Sequence, residues 1–300
     1  KSVETIINKS LTLRGLSPEE AAVLLNCDEK VSLNRIFETA KQIKETIYGN
    51  RLVLFAPLYL SDRCINSCLY CGFSKENKNS GTRHLDINEI RDETRALISQ
   101  GHKRLLIVSA EDPAVDIDYV GKAIKTVYDT KEGNGGIRRV NINVAPMGVE
   151  NFKRLKQTGI GTYQLFQETY HGDTYSLLHT SGPKSDYLKR LYACDIAQSA
   201  GIDDIGIGAL FGLYDYKFEV LALLFHTMHL EEVFGVGPHT ISVPRLEQAE
   251  GSNIASAPPY PVSDADLKKI IAVLRLAVPY TGIILSTREN AALRNELIYL

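Results

Sequence analysis

The sequence lacks the features of a membrane, secreted or nucleic-acid-binding protein. No apolar run approaches the roughly 20 residues that a transmembrane helix needs, and the polar N-terminus has no apolar segment typical of a signal peptide. The formal net charge is only −2, so no basic field favours nucleic acid or an anionic membrane. We therefore predict a protein with no nucleic-acid partner and no membrane partner.

Cysteine is scarce, and what there is lies mostly in one place. The chain has 5 cysteines, too few and too unevenly spread for a secreted disulfide framework. Three of them, Cys64, Cys68 and Cys71, form a C-x3-C-x2-C motif. The other two, Cys27 and Cys194, fall in apolar helical patterns, so we expect them to fill the core.

The motif has no obvious fourth ligand, because no further cysteine follows nearby and the next histidine is His84. Thiolates select zinc, copper(I) or iron–sulfur clusters, and a structural zinc site needs four protein ligands. A [4Fe–4S] cluster with one iron unprotected by protein fits better than zinc. The alternative is a set of inert cysteines or an incomplete zinc site. Reduced thiols and an oxygen-sensitive cluster predict a cytoplasmic protein of an anaerobe or microaerobe.

The chain also lacks a low-complexity segment or a Pro/Gly-rich linker, and strand patterns alternate with helical patterns along it. Seven largely apolar runs predict buried strands. They are residues 52–60, 105–109, 140–145, 163–168, 205–210, 240–245 and 283–286. A helical pattern follows each of them, at 87–100, 119–130, 149–157, 187–200, 218–234, 264–276 and 291–298.

Seven strand–helix units in a row indicate parallel strands joined by helical crossovers. We predict an α/β fold, a (β/α)8 TIM-type barrel over 51–300 with an N-terminal helical extension over 1–50. A doubly wound open sheet is the alternative. The chain stops where an eighth strand should follow, so we expect the natural protein to continue.

Active sites of such barrels lie at the C-terminal ends of the strands, and polar side chains cluster there in this sequence. Charged or polar residues that end apolar strands cost desolvation unless they are paired or bind something. The polar residues at these strand ends are Glu111, Asp112, Gln167, Glu168, Arg245, Ser286, Thr287 and Arg288. Arg190, from a helix, is a further candidate. The cysteine motif begins at the end of the first strand, so we expect all of them around one barrel mouth.

The cysteine motif resembles that of the radical S-adenosylmethionine (SAM) enzymes, with Tyr70 as the aromatic before the third cysteine. Residues 58–61, 165–171 and 205–210 resemble the thiazole-forming tyrosine lyases of thiamine synthesis. Residues 211–219, 234–245 and 284–288 resemble more closely the tyrosine lyases that mature [FeFe]-hydrogenase, which we favour. One departure is Ala110-Glu111, where that family tends to have Gly-Glu.

The resemblance implies roles for the candidate residues. The three cysteines would hold a [4Fe–4S] cluster and, with Tyr70, form its loop. Glu111 would bind the SAM amine, Gln167 or Glu168 the ribose hydroxyls, and Arg190 or Arg245 a carboxylate. Ser286 and Arg288 would hold the carboxylate of L-tyrosine.

The resemblance also implies a reaction and its partners. The Cα–Cβ bond of L-tyrosine would break to give p-cresol and dehydroglycine, with electrons from a flavodoxin- or ferredoxin-type donor. In the maturases dehydroglycine leads to carbon monoxide and cyanide, with other hydrogenase maturation proteins as partners. That step uses a second, C-terminal iron–sulfur cluster, for which this sequence has no cysteines after Cys194. The alternatives are the thiazole-forming lyase, a tryptophan lyase, or an iron–sulfur carrier without turnover.

Overall fold

A curled parallel sheet is the centre of the structure, a computed structural model that describes residues 2–78 and 82–300. Its seven strands are hydrogen-bonded to one another in chain order. They are β1 (Ala56–Ser61), β3 (Arg104–Ser109), β6 (Arg139–Asn143), β7 (Tyr163–Gln164), β9 (Ile205–Gly208), β10 (Thr240–Ser242) and β11 (Gly282–Ile284). Sequential order with helical connections is the barrel topology, so the predicted α/β barrel-type fold is confirmed. Within the described residues β1 and β11 do not pair, and the sheet stays open between them.

Four short strands lie outside the main sheet and form two antiparallel pairs. Strand β2 (Ser67–Cys68) pairs with β8 (His179–Ser181), and β4 (Lys131–Glu132) forms a hairpin with β5 (Gly135–Gly136). The β2–β8 pair ties the cysteine motif to a segment more than 100 residues later in the chain. This contact has no counterpart in the strand–helix pattern of the sequence.

Helices flank the sheet and supply its crossovers. They are α1 (Val3–Ser10), α2 (Pro18–Leu25), α3 (Lys30–Tyr48), α4 (Ile87–Ser99), α5 (Ile117–Asp129), α6 (Val149–Gln157), α7 (Gly172–Leu178), α8 (Tyr187–Leu191), α9 (Ala193–Ser199), α10 (Tyr216–Phe234), α11 (Asn253–Ser256), α12 (Asp264–Ala277) and α13 (Ala291–Leu297). Their starts follow from local chemistry. Ser17 and Ser263 both form capping boxes, with Glu20 and Asp266, which satisfy otherwise unpaired backbone N–H groups.

Several predicted boundaries were wrong. The strands predicted over 205–210 and 240–245 end at Gly208 and Ser242, and three further differences have identifiable causes. The first strand begins at Ala56 rather than at 52, because Leu52, Val53 and Leu54 are 60–69% exposed and outside any ladder. An apolar run alone cannot tell a buried strand from an exposed approach to it. The helix predicted over 187–200 breaks at Tyr192, whose backbone leaves the helical conformation between α8 and α9.

The strand predicted over 163–168 is also shorter, and this difference leads to the site. Its ladder ends at Gln164, and the chain then bends so that Glu168 adopts a φ of 71°. A positive φ is uncommon for a residue other than glycine and marks a constrained position. An isolated bridge to Ala209 keeps this segment beside β9.

One hydrophobic core joins the sheet to the helices around it. Ile6 of α1, Leu24 of α2 and Ile36 of α3 belong to the same buried cluster as Leu60 and Ile107 of the sheet. A division of the chain near residue 50 remains a prediction. Among the described residues, no helix is both long and apolar enough to span a bilayer.

Candidate functional site

The cysteine loop leaves the C-terminal end of β1 and is fixed by backbone hydrogen bonds on two sides. The Ile65 amide donates to the Glu111 carbonyl (3.1 Å), which ties the loop to the end of β3, and the Leu69 amide donates to the Leu178 carbonyl (3.0 Å). Gly182 lies against the loop at φ 92°, where an added Cβ would come within 2.4 Å of the Asn66 side chain. The loop therefore has a defined shape, and glycine is required at its contact.

The thiols of the loop interact with each other. Cys68 is buried, and Cys64 and Cys71 are half-buried. Burial, reinforced by the neighbouring Cys71 and Cys64 thiols, raises the pKa of Cys68 to about 12, although the Lys184 charge opposes this. The backbone and side-chain N–H groups of Asn66 both point at the Cys64 sulfur, at 3.5 Å. Metal coordination would have to supply the energy that deprotonates Cys68.

The donor set fits a cluster better than a single ion. Within residues 2–78 and 82–300, no three His, Cys, Asp or Glu side chains converge on one metal-ion position. The four irons of a [4Fe–4S] cluster each take one protein ligand, so cluster thiolates stand farther apart than ligands around one zinc ion at about 2.3 Å. Three such thiolates leave one iron open.

Tyr70 lies between the second and third cysteines and points into the protein. Its hydroxyl hydrogen-bonds Nε2 of His179 (2.8 Å), and the two rings meet edge to face. Nδ1 of His179 is 2.8 Å from the Tyr175 carbonyl, which can only accept. The histidine therefore carries its proton on Nδ1 and accepts from Tyr70. Burial, and then the Lys184 charge, lower the pKa of His179 to about 4, so it is neutral at pH 7.

A largely buried network of charges occupies the ends of β3 and β7. Glu168 accepts from Lys184 Nζ (2.7 Å) and from Arg190 Nη2 (3.1 Å), and Arg190 Nη1 lies 3.6 Å from Glu111. Arg190 Nε also donates to the Phe166 carbonyl (2.7 Å). Burial alone would raise the pKa of Glu168, but the Lys184 and Arg190 charges outweigh burial and lower it.

A cleft of about 250 Å³ opens between this network and the cysteine loop. It is lined by Ile65, Glu111, Asp112, Pro113, Ala145, Pro146, Pro183, Lys184, Lys189 and Arg190. The lining combines apolar side chains with charged side chains of both signs. A ligand that carries an apolar part, an amine and a carboxylate would find partners for each of them in such a lining.

The structure brings together the three cysteines, Tyr70, Glu111, Glu168 and Arg190 of the predicted set. Gln167 is next to this group but does not line the cleft, and its buried side-chain amide donates to the Tyr187 carbonyl (3.4 Å). To bind a ribose hydroxyl, the Gln167 side chain would have to break this hydrogen bond and adopt another rotamer.

The remaining candidates lie on the other side of the mouth. The Arg245 guanidinium pairs with Glu289 and Asp264 and donates to the Val262 carbonyl (2.9 Å), so each of its three nitrogens already has a protein partner. Ser286 and Arg288 follow β11, and Ser286 Oγ accepts from the Arg288 amide (3.2 Å). The Arg288 side chain is exposed. None of these three residues lines the cleft.

Sequence reasoning missed Lys184 and His179, and it placed Asp112 at a strand end without giving it a role. Lys184 follows Gly182-Pro183, a turn signal that says nothing of a charge partner. Asp112 accepts from Ser61 Oγ (2.7 Å) and pairs with His84 Nδ1 (2.9 Å), which braces the segment next to Glu111. His179 stands in a short strand without periodicity. No local pattern could have indicated the partners of these three residues, because each acts through a long-range contact.

Comparisons with known proteins agree with this geometry. A family model described as the Radical SAM superfamily matches residues 58–225, and the Biotin and Thiamin Synthesis associated domain matches residues 242–300. The 2-iminoacetate synthase of Salmonella typhimurium is 31% identical over 296 residues, which cover 98% of this chain and 76% of that protein. The [FeFe] hydrogenase maturase subunit HydE of Thermotoga maritima is 25% identical over 234 residues. These residues are 77% of this chain and 64% of HydE.

Two solved structures of HydG, a maturase of the [FeFe]-hydrogenase, are similar over 99% of the chain. One has a TM-score of 0.97 and is 55% identical to this chain. The other, from Carboxydothermus hydrogenoformans, has a TM-score of 0.93 and is 46% identical. The chain spans 65% and 68% of those two chains. The family match, the open three-cysteine loop and the barrel-type sheet lead to the same conclusion: the chain belongs to the radical SAM superfamily.

Proposed function

We propose that this chain is a radical SAM carbon–carbon lyase that cleaves the Cα–Cβ bond of L-tyrosine to p-cresol and dehydroglycine. We propose further that in the full protein dehydroglycine leads to carbon monoxide and cyanide for [FeFe]-hydrogenase. The observation that carries the proposal is the largely buried Glu111–Arg190–Glu168–Lys184 network beside the cysteine loop. The similarity to two HydG structures supports the choice of reaction.

The chain's own residues would bind, orient and shield the reactants. Cys64, Cys68 and Cys71 would hold the [4Fe–4S] cluster, which together with SAM supplies the radical chemistry when both are bound. Glu111 would accept from the SAM amine, and Arg190 Nη1 would reach its carboxylate.

Glu168 holds Arg190 and Lys184 in place before any ligand arrives, so little reorganisation is needed on binding. The apolar residues that line the cleft would help to exclude water from the reacting atoms. Ser286 and Arg288 would bind the tyrosine carboxylate from the opposite side, where an Arg fork suits a carboxylate. Gln167 and Arg245 remain weaker candidates, since both side chains have protein partners.

The proposed setting follows from the chemistry. A low-potential flavodoxin- or ferredoxin-type protein would supply electrons, other hydrogenase maturation proteins would receive the product, and the cytoplasm would keep the thiols reduced. A second candidate function is the thiazole-forming lyase, favoured by the 31% identity to a 2-iminoacetate synthase. It shares the tyrosine cleavage and differs in the fate of dehydroglycine.

One assay tests the proposal. The protein is reconstituted anaerobically with iron and sulfide, then given SAM, dithionite and L-tyrosine, and 5′-deoxyadenosine and p-cresol are quantified together. A parallel reaction contains L-tryptophan in place of tyrosine. We expect both products with tyrosine.

The other outcomes separate the alternatives. Deoxyadenosine without p-cresol would rule out tyrosine as the substrate, and an indole product in the parallel reaction would indicate a tryptophan lyase. Neither product from protein with an intact cluster would favour an iron–sulfur carrier. A product derived from dehydroglycine would then distinguish the two tyrosine lyases.

A further inference from the structure

We propose that His179 is a positioning residue for the iron–sulfur cluster, which fixes the cysteine loop by accepting a hydrogen bond from Tyr70. The inference rests on the proposed function only through the iron–sulfur cluster, which the second measurement below requires. Its structural part concerns the shape of the loop in the metal-free protein.

Tyr70 is the only described aromatic between the cysteines Cys68 and Cys71, so its orientation constrains both thiols. The ring is buried, and its hydroxyl has one hydrogen-bond partner among the described side chains, Nε2 of His179 at 2.8 Å. The ring centroids are 5.4 Å apart at an interplanar angle of 81°. A buried hydroxyl without a partner is costly, so the histidine selects the inward rotamer of Tyr70.

His179 is itself held from two directions. Its ring stacks on that of Tyr175 at 3.9 Å and hydrogen-bonds the Tyr175 carbonyl through Nδ1, while its backbone pairs with Cys68 in the β2–β8 ladder. The Tyr175 hydroxyl in turn donates to the Lys184 carbonyl (2.5 Å).

Lys184 also contacts Tyr70, the residue at which this series of contacts begins. Its ammonium group lies 5.7 Å from the centroid of the Tyr70 ring and is anchored by Glu168. The contacts therefore form a closed ring from Tyr70 through His179, Tyr175 and Lys184 back to Tyr70. Such a ring links the cysteine loop to the charged wall of the cleft, so displacement of one disturbs the other.

The two nitrogens of His179 can be tested separately. In His179→Gln the amide oxygen can take the place of Nε2 and accept from Tyr70. In His179→Asn the amide can take the place of Nδ1, which leaves the Tyr70 hydroxyl without its acceptor. Tyr70→Phe removes the same hydrogen bond from the other side.

The chain offers a matched control in a second Tyr–His pair. The Tyr170 hydroxyl hydrogen-bonds Nδ1 of His226 at 2.8 Å, and these rings also meet edge to face, with centroids 5.7 Å apart. His226 lies on α10, which contributes no residue to the cleft. Tyr170→Phe and His226→Gln therefore disrupt a comparable Tyr–His pair outside the cysteine motif.

The first measurement is amide hydrogen exchange in the metal-free protein. Loss of one hydrogen bond corresponds to a change of roughly threefold to tenfold in an opening equilibrium. We expect exchange in residues 64–71 to rise by that factor in Tyr70→Phe and His179→Asn, and to stay within about twofold of wild type in His179→Gln. The control variants should speed exchange around 170 and 226 without changing 64–71.

The second measurement uses reconstituted protein. Tyr70→Phe and His179→Asn should alter the electron paramagnetic resonance spectrum of the reduced cluster, with and without SAM, and His179→Gln should restore it. The double variant of Tyr70→Phe with His179→Asn should change the spectrum no more than either single variant does, because both substitutions remove the same hydrogen bond.

Two results would overturn the proposal. One is unchanged exchange in 64–71 and an unchanged spectrum in His179→Asn. The other is equal damage from His179→Gln and His179→Asn, which would mean that the acceptor for Tyr70 is not what matters. If wild type itself makes no deoxyadenosine, the proposed function fails, and the exchange data still decide the role of His179.

Discussion

The two sides of the barrel mouth differ in how completely their charged side chains are already paired and held in place without a ligand. On the side of β1 to β9, Glu168, Arg190 and Lys184 are nearly buried and bonded to each other around a cleft. On the side of β10 and β11, Arg245 is committed to Glu289 and Arg288 is exposed. The same residue types thus serve different purposes on the two sides.

The difference indicates an order of assembly. Buried and paired charges have little freedom to lose when a ligand binds, so the first side is pre-organised. An exposed arginine such as Arg288 must lose side-chain entropy to bind a carboxylate. We infer that the first side binds the cofactor and that the second is completed by the substrate. The predictions below test this contrast, beginning with the largest expected effect.

Loss of one cysteine should have the largest effect. Cys68→Ala should abolish formation of deoxyadenosine and lower the iron bound per chain, because two thiolates cannot replace three around the cluster. Iron analysis and product quantification after reconstitution measure this. Cys27→Ala is the control, since that buried cysteine packs in the core away from the cleft. Normal turnover in Cys68→Ala would refute the cluster assignment.

Removing the charge of Glu168 should have the next largest effect. Glu168→Gln keeps the shape of the side chain but removes the negative charge that pairs with the largely buried side chains of Arg190 and Lys184. We expect SAM binding to weaken by roughly tenfold to hundredfold, as when a buried charged hydrogen-bond partner is lost. Titration of reconstituted protein with SAM measures this. Glu168→Gln with wild-type SAM affinity would show that the network is only structural.

Substitution of Arg288 should affect tyrosine and leave SAM binding unchanged. Arg288→Met removes a fork that could bind the substrate carboxylate, and a rise of about tenfold in KM for tyrosine is expected from one charge-assisted contact. Arg288→Lys keeps the charge and should recover only part of the loss. Equal weakening of SAM and tyrosine binding would contradict the division between the two sides.

The same contrast explains how much the sequence could predict. The cysteine spacing, the strand–helix rhythm and the polar strand ends are local patterns, and they led to Cys64, Glu111 and Glu168. Whether an arginine is free or engaged depends on its spatial neighbours. Arg245 and Arg190 look alike in sequence, yet only Arg190 lines the cleft. The partner of Arg245, Glu289, lies 44 residues away along the chain.

The unpredicted parts of the site share one physical origin. His179 reaches the cysteine loop through a two-stranded ladder that has no periodic signature. Lys184 lies just after that ladder, and its amide donates to the Asn66 side chain (2.8 Å). The bend at Glu168 requires a positive φ that a glutamate rarely adopts, so no propensity could indicate it. Tertiary contacts impose both features, and they occur where the charges converge.

The smallest effect on the site should come from the matched carboxylate on the other side. Glu289 is buried and pairs with an arginine, as Glu168 does, but its partner Arg245 does not line the cleft. Glu289→Gln should lower the free energy of unfolding by about 2 kcal/mol, because it breaks a largely buried ion pair. Denaturant unfolding measures that loss, and SAM titration of the folded variant should give an affinity within about twofold of wild type. A loss of SAM affinity as large as that in Glu168→Gln would mean that both sides of the mouth bind the cofactor.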